Sequence, residues 1–137
     1  MAQDSGASIP CSIVPWLSVR GGERAIAFYR AAFGATEVYR LEVPDGGGVV
    51  VRLSVAGAEF WVSGESSEDR DAHAEASLGG GSVRMILTVA EPEAVFARAV
   101  AAGASEIFPV GEEHGWRLGR VADPFGLHWE IGHQLAP

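Results

Sequence analysis

The chain repeats itself once, and this internal repeat constrains the fold more than any other feature. The first copy reads WLSVRGGERAIAFYRAAFGATEV (16–38), and the second reads ILTVAEPEAVFARAVAAGASEI (86–107). Val19 corresponds to Val89 at an offset of 70, whereas Gly34 corresponds to Gly103 at an offset of 69, so the second copy lacks one helical residue. A period near 70 is too long for a solenoid unit, and it favours two supersecondary modules that pack on each other.

Each copy contains one helix, marked by an apolar stripe and followed by glycine. The stripes are Ala25, Ile26, Tyr29, Ala32 and Phe33 in the first copy, and Val95, Phe96, Ala99 and Val100 in the second. Gly34 and Gly103 follow the stripes, where glycine commonly ends a helix. Pro92 suits the first turn of the second helix, because its missing N–H would be unpaired there in any case. The sequence therefore predicts one amphipathic helix in each copy.

Alternating apolar residues around each helix predict four strands per copy. These strands lie at about 12–20, 36–43, 48–55 and 57–63, and then at about 82–89, 104–110, 115–122 and 126–132. The predicted fold class is α+β, with two βαβββ modules that form a curled mixed-sheet cup and helices outside it. We assign the first module to 12–64 and the second to 82–133 of a single domain. The polar, acidic segment 65–81 is interpreted as the linker.

Charge and composition narrow the range of partners. The formal net charge is −8 and no cluster of Lys or Arg occurs, which argues against a nucleic-acid partner. No apolar run approaches the ~20 residues that span a bilayer, so no membrane partner is expected. Cys11 is the single cysteine and residues 1–11 do not resemble a signal peptide. These features predict a cytoplasmic protein whose partner is a small molecule.

Strand alternation separates the side chains of the terminal strands into two faces. The apolar faces, which carry Phe60 and Val62 in one module and Trp129 and Ile131 in the other, are predicted to pack under the helices. The opposite face carries Val14, Trp16, Glu59, Trp61, Arg84, Ile86, His128 and Glu130. Because that face is aromatic, charged and apolar at once, it suits a cavity wall better than a solvent surface.

The paired modules, AFYRAAFGA (27–35) and DPFGLHWEI (123–131) resemble the vicinal oxygen chelate superfamily, which includes glyoxalase I, bleomycin-resistance proteins and extradiol dioxygenases. The resemblance covers about residues 12–133. It implies four symmetric metal-ligand positions, which fall here on Val14, Trp61, Arg84 and Glu130. Only Glu130 has a side chain that ligates divalent metals, and Arg84 is a permanent cation. We therefore expect no metal and no other cofactor.

Two functions remain open at this point. In the first, the cup binds a small, partly aromatic molecule by stacking on Trp16 and Trp61 and by pairing with Arg84, as in drug sequestration. In the second, the protein is a lyase or dioxygenase-like enzyme that acts on a small carbonyl or aromatic substrate. Glu130 and His128 then serve as acid–base groups, or as metal ligands together with Glu59. The shortage of metal ligands favours binding without catalysis.

Structural interpretations of the same residues also remain open. Trp16 and Trp61 also suit a plain apolar core, and Arg84 with Glu130 suits an ion pair that only fixes the interior. Trp116 fits either the rim of the cup or the core of a strand. Two short curled sheets leave open edges that invite pairing, and the family resemblance implies that dimers are common, so we expect a homodimer.

Overall fold

The computed structural model describes residues 9–44, 48–64 and 83–136, and the predicted linker 65–81 lies outside these ranges. The elements are β1 (Trp16–Val19), α1 (Gly22–Phe33), β2 (Thr36–Val43), β3 (Gly48–Val55), β4 (Ala58–Gly64), β5 (Arg84–Thr88), α2 (Pro92–Ala102), β6 (Ser105–Glu113), β7 (Trp116–Ala122) and β8 (His128–Gln134). The predicted strands 36–43 and 48–55 match β2 and β3 at both ends. Strand β1 is shorter than predicted because its pairing with β4 covers only four residues. Neither described helix is long and apolar enough to cross a membrane.

Each module forms one four-stranded mixed sheet, and the two sheets have equivalent strand orders. The orders are β1-β4-β3-β2 and β5-β8-β7-β6. In both sheets the first strand pairs in parallel with the last, and the remaining neighbours are antiparallel. The repeat in the sequence is therefore a repeat in topology, and the predicted α+β fold of two βαβββ modules is confirmed. The two sheets stay separate instead of closing into one barrel.

Both helices end at the predicted glycines. Gly34 and Gly103 have φ angles of 70° and 126°, which favour glycine over residues with a Cβ. Helix α1 has 12 residues and α2 has 11, which confirms the missing residue in the second copy. Val100 was predicted to belong to the buried stripe of α2, but it is 41% exposed. That prediction is wrong because Val100 lies at the edge of the stripe, beside the buried Phe96 and Ala99.

A single apolar core joins the two modules through the sides of the sheets that face the helices. The ring of Phe60 contacts that of Trp129 edge-on, with centroids 5.6 Å apart. Tyr29 of α1 also contacts Trp129, at 5.5 Å. Val62 and Ile131 are fully buried in the same core. The predicted orientation of the terminal strands is thereby confirmed, and the opposite faces of both sheets point away from the shared core.

A buried carboxylate also links the modules. Asp123 is 5% exposed, and its Oδ2 accepts hydrogen bonds from the Tyr29 hydroxyl at 2.6 Å and the Trp129 indole N–H at 2.8 Å. Its Oδ1 accepts from the backbone N–H groups of Phe125 and Leu127 at 2.9 and 3.0 Å. Burial, and then the charge of Asp123, raise the pKa of Tyr29 well above its ordinary value, so the hydroxyl remains a donor. Asp123 therefore fixes the turn before β8 and ties it to α1.

Candidate functional site

The face of the first sheet that points away from the helices carries two stacked tryptophans. Trp16 and Trp61 are register partners on β1 and β4, with ring centroids 5.5 Å apart and an interplanar angle of 18°. The indole N–H of Trp16 donates to the Ser63 hydroxyl at 2.8 Å. Trp16 nevertheless remains 54% exposed. Because so large an aromatic surface stays open, the pair forms a flat apolar surface rather than a closed core.

Two further side chains extend this surface across the sheet. The Arg52 guanidinium lies 5.3 Å from the centroid of the Trp61 ring, and Arg52 also pairs with Glu59. Tyr39 contacts the edge of Trp61 at 5.7 Å. Strand pairing places Trp16, Trp61, Arg52 and Tyr39 in one row across four strands, which we name the platform row. Glu59 is therefore engaged by Arg52, a residue that the strand pattern did not predict to belong to the site.

The second sheet has an equivalent row. Ile86, Glu130, Arg120 and Phe108 are successive register partners across β5, β8, β7 and β6, and we name them the cavity row. In each row an arginine lies between an aromatic residue of an edge strand and a residue of the last strand. These residues are Tyr39, Arg52 and Trp61 in the first module, and Phe108, Arg120 and Glu130 in the second. Arg52 and Arg120 occupy equivalent places in the two sheets, but they are 68 residues apart and the repeat near them has an offset of 69, so strand pairing and not the sequence repeat identifies both arginines.

Glu130 is held by two guanidinium groups. Arg120 donates to its Oε2 from Nη2 at 2.6 Å and from Nε at 3.2 Å. The Nε of Arg84 lies 3.2 Å from the same oxygen, so the predicted proximity of Arg84 and Glu130 is present. The side chain of Glu130 is 12% exposed, against 53% for Arg84. We name Arg84, Arg120 and Glu130 the arginine cluster, and two cations facing one carboxylate give it a net charge of +1.

A cavity of about 440 Å³ opens beside this cluster. Its apolar wall consists of Ile86, Phe108, Trp116 and Leu118, and Glu130 also lines it. The Arg120 guanidinium lies 5.2 Å from the centroid of the Phe108 ring, so the cluster and the wall are continuous. A volume of this size falls within the ~300–1,000 Å³ typical of small-molecule sites. Of the residues predicted to form the site, Ile86, Trp116 and Glu130 line this cavity.

The predicted residues are divided between the two modules. The contacts of Trp16, Trp61 and Glu59 lie within the first module, whereas the cavity is lined by the second. Val14 is half-buried and precedes β1. His128 is half-buried on β8, where it pairs in register with Arg84 and Ala122. Within one chain the predicted cup therefore consists of two separate half-sites.

The residues at the four expected metal positions do not fit a divalent ion. Val14 offers no donor, Arg84 is cationic, and Trp61 lies beneath another guanidinium. The Oε2 atom of Glu130 is already occupied by two arginines. Within residues 9–44, 48–64 and 83–136, no group of three or more His, Cys, Asp and Glu side chains is placed to hold a metal. A divalent site needs about three protein ligands or more, which this donor set does not supply.

Comparison with known proteins agrees with the fold. Residues 13–131 match the model of the Glyoxalase/Bleomycin resistance protein/Dioxygenase superfamily. An uncharacterised protein of Mycobacterium bovis is 36% identical over 127 residues, which cover 90% of this chain and 84% of that protein. The structure of an Arabidopsis thaliana gene product is 30% identical with a TM-score of 0.66, covering 90% and 98% of the two chains. The structure of TioX from Micromonospora is 25% identical with a TM-score of 0.67, covering 92% and 100%.

Proposed function

Because the chain belongs to the glyoxalase/bleomycin resistance protein/dioxygenase superfamily, we propose that it is a cytoplasmic, metal-independent member that binds and sequesters a small aromatic molecule. One observation carries this proposal. The carboxylate of Glu130, at a metal-ligand position of the family, is engaged by Arg84 and Arg120 instead. A metal at this place would have to share the Glu130 carboxylate with two guanidinium groups, whose positive charges repel a cation.

The shape and lining of the cavity support an aromatic ligand. The cavity has a wall of aliphatic and aromatic side chains, as ligand sites generally do, and Glu112, Glu113 and Glu130 also line it. Rings of Phe108 and Trp116 allow offset or edge-on packing with a flat ligand, which is worth about 0.5–1.5 kcal/mol beyond the buried area. The platform row offers a second stacking surface of the same kind in the other module.

The two half-sites are brought together by homodimerisation in this proposal. The open faces expose large apolar side chains, among them Trp16 at 54%, Tyr39 at 51% and Ile86 at 60%. Exposed apolar area of this kind favours a protein partner. In this arrangement the platform row of one chain faces the cavity row of a second. In the dimer, Trp16 and Trp61 of one chain then cover the cavity of the other chain.

The dimer is expected to depend on Trp16. The wild-type protein should sediment at twice the chain mass of 14.4 kDa at micromolar concentration. Trp16→Glu should raise the dimer dissociation constant by about 30-fold or more, because a central interface tryptophan typically contributes ~2 kcal/mol or more. Val100→Glu is the control, since it puts the same charge on an exposed apolar residue of α2. Sedimentation of the wild type as a monomer, or equal weakening by both variants, would contradict this arrangement.

Metal removal is expected to leave ligand binding unchanged. In calorimetry, the neutral planar probe biphenyl-4-carboxamide should bind with a stoichiometry of one per chain. Dialysis against excess EDTA should alter neither its affinity nor the melting temperature, because no metal contributes to the site. Elemental analysis of the purified protein should find no stoichiometric divalent metal.

Two results would contradict the proposed function. Affinity that is lost after EDTA and restored by manganese or zinc would favour the lyase or dioxygenase-like alternative, with Glu130 and His128 as ligands. Failure of the probe to bind at any accessible concentration would mean that the cavity is not a site for flat aromatic molecules.

A further inference from the structure

The arginine cluster, which carries an excess of positive charge, adjoins one end of the cavity through Glu130, the member of the cluster that lines it. Arg84 and Arg120 approach the same oxygen of Glu130, so one of the two positive charges is not balanced within the cluster. Arg84 has the most accessible side chain of the three, at 53% exposed, whereas Arg120 is 23% exposed. A second carboxylate that reached Arg84 would balance the charge and form charge-assisted hydrogen bonds.

The opposite end of the cavity is acidic. Glu112 and Glu113, which end β6, line the cavity there. Glu112 shares Arg117 with Glu93, so two carboxylates face one guanidinium, and the Glu113 side chain is 82% exposed. Strand pairing sets Glu113 opposite Trp116 and Glu130 opposite Arg120. The two ends are thus four residues apart along β7, or ~13 Å at the usual rise of a strand. We name Glu112 and Glu113 the acidic rim, and it disfavours a second anionic group on the ligand.

Apolar side chains line the cavity between these two ends. Phe108, Trp116 and Leu118 line the cavity between the arginine cluster and the acidic rim. Arg120 lies over the face of the Phe108 ring, so the arginine cluster contacts an aromatic residue of the cavity wall. A ligand that contacts the arginine cluster, the apolar side chains and the acidic rim at once is long and flat, and it carries its negative charge at one end.

From this arrangement we infer that the ligand is an elongated aromatic acid. Its single acid group binds at the arginine cluster, its rings lie on the apolar wall, and its neutral or basic far end meets the acidic rim. The inference rests on the proposed function, because it names the ligand class of the same cavity. It adds Arg120 and the acidic rim as determinants of specificity.

Three rigid probes of similar length test this inference by calorimetry on the intact protein. Biphenyl-4-carboxylate should bind about tenfold or more tightly than biphenyl-4-carboxamide, because only the former makes charge-assisted bonds with Arg84. Biphenyl-4,4′-dicarboxylate should bind about two- to fivefold more weakly than the monocarboxylate, because its second charge meets exposed carboxylates. Arg84→Gln should reduce the preference for carboxylate over carboxamide to about twofold or less. Arg30→Gln, the same charge change at an exposed residue of α1, should leave the preference intact.

Each contrary result has a distinct meaning. Saturable binding of carboxylate and carboxamide with equal affinity would overturn the inference and leave the proposed function standing. Equal weakening of both probes by Arg84→Gln would also overturn it, because Arg84 would then act only on the structure of the site. A dicarboxylate that binds as tightly as the monocarboxylate would overturn the role of the acidic rim. Absence of binding by all three probes would overturn both the inference and the proposed function.

Discussion

Asp123→Ala is expected to lower the free energy of unfolding by about 3–5 kcal/mol, because it leaves several buried donors without an acceptor. The Tyr29 hydroxyl, the Trp129 indole N–H and two backbone N–H groups all donate to this one carboxylate. Each buried donor left unpaired costs about 1–3 kcal/mol, and water that enters the space recovers part of this. Urea denaturation followed by tryptophan fluorescence measures the change.

Tyr29→Phe is the matched control for this substitution. It removes one donor and leaves the other three in place, so the expected loss is about 1 kcal/mol. Tyr39→Phe, which removes a hydroxyl from a tyrosine that is 51% exposed, should change stability by less than about 0.5 kcal/mol. If Asp123→Ala cost no more than Tyr29→Phe, Asp123 would not be the link between α1 and the turn before β8.

The same network predicts a loss of stability in alkali. The folded-state pKa of Tyr29 is raised well above the ordinary value of 10.0, first by burial and then by Asp123. The contribution of Tyr29 to the free energy of unfolding is therefore complete below pH 10. It decreases as the pH rises from there towards the folded-state pKa, because only the tyrosine of the unfolded chain ionises readily in this range. Tyr29→Phe should remove this alkaline decrease, and an unchanged decrease would assign it to other groups.

The fold was predictable because its determinants are local and occur twice. Each helix stripe needs an apolar sheet face to cover it, and strand alternation decides which side chains form that face. Phe60 and Trp129 accordingly lie under the helices, where they were expected. The glycines after both helices mark their ends through backbone conformation alone, which requires no tertiary information.

The site was predictable only in part because it depends on register and on the packing of modules. Alternation shows which face of β8 carries Glu130, but it does not show which residue of β7 lies opposite. Arg120 was missed for this reason, although it makes the closest contact with Glu130. Arg52 was missed in the same way beside Trp61. The division of the cup into two half-sites follows from which sheet faces meet in the core, and the pattern of a single strand does not contain that information.

Glu130→Gln is expected to tighten the binding of biphenyl-4-carboxylate by about tenfold, because it removes the internal anion that competes for Arg84 and Arg120. The two guanidinium groups then face a neutral amide, and the net charge of the cluster rises from +1 to +2. The free protein should lose about 1–3 kcal/mol of stability, since two cations are left close together without a carboxylate. Calorimetry with and without the probe measures both effects.

Glu23→Gln is the matched control, because Glu23 also pairs with an arginine, Arg40, but lies at the start of α1. It should leave the affinity for the probe within about twofold of the wild type, since an exposed ion pair contributes little. The sign of the Glu130→Gln effect separates the two functions. A carboxylate that only neutralises arginines competes with an anionic ligand, so its removal strengthens binding. A carboxylate that holds a metal or accepts a proton from the ligand contributes to binding itself, so its removal would weaken the complex.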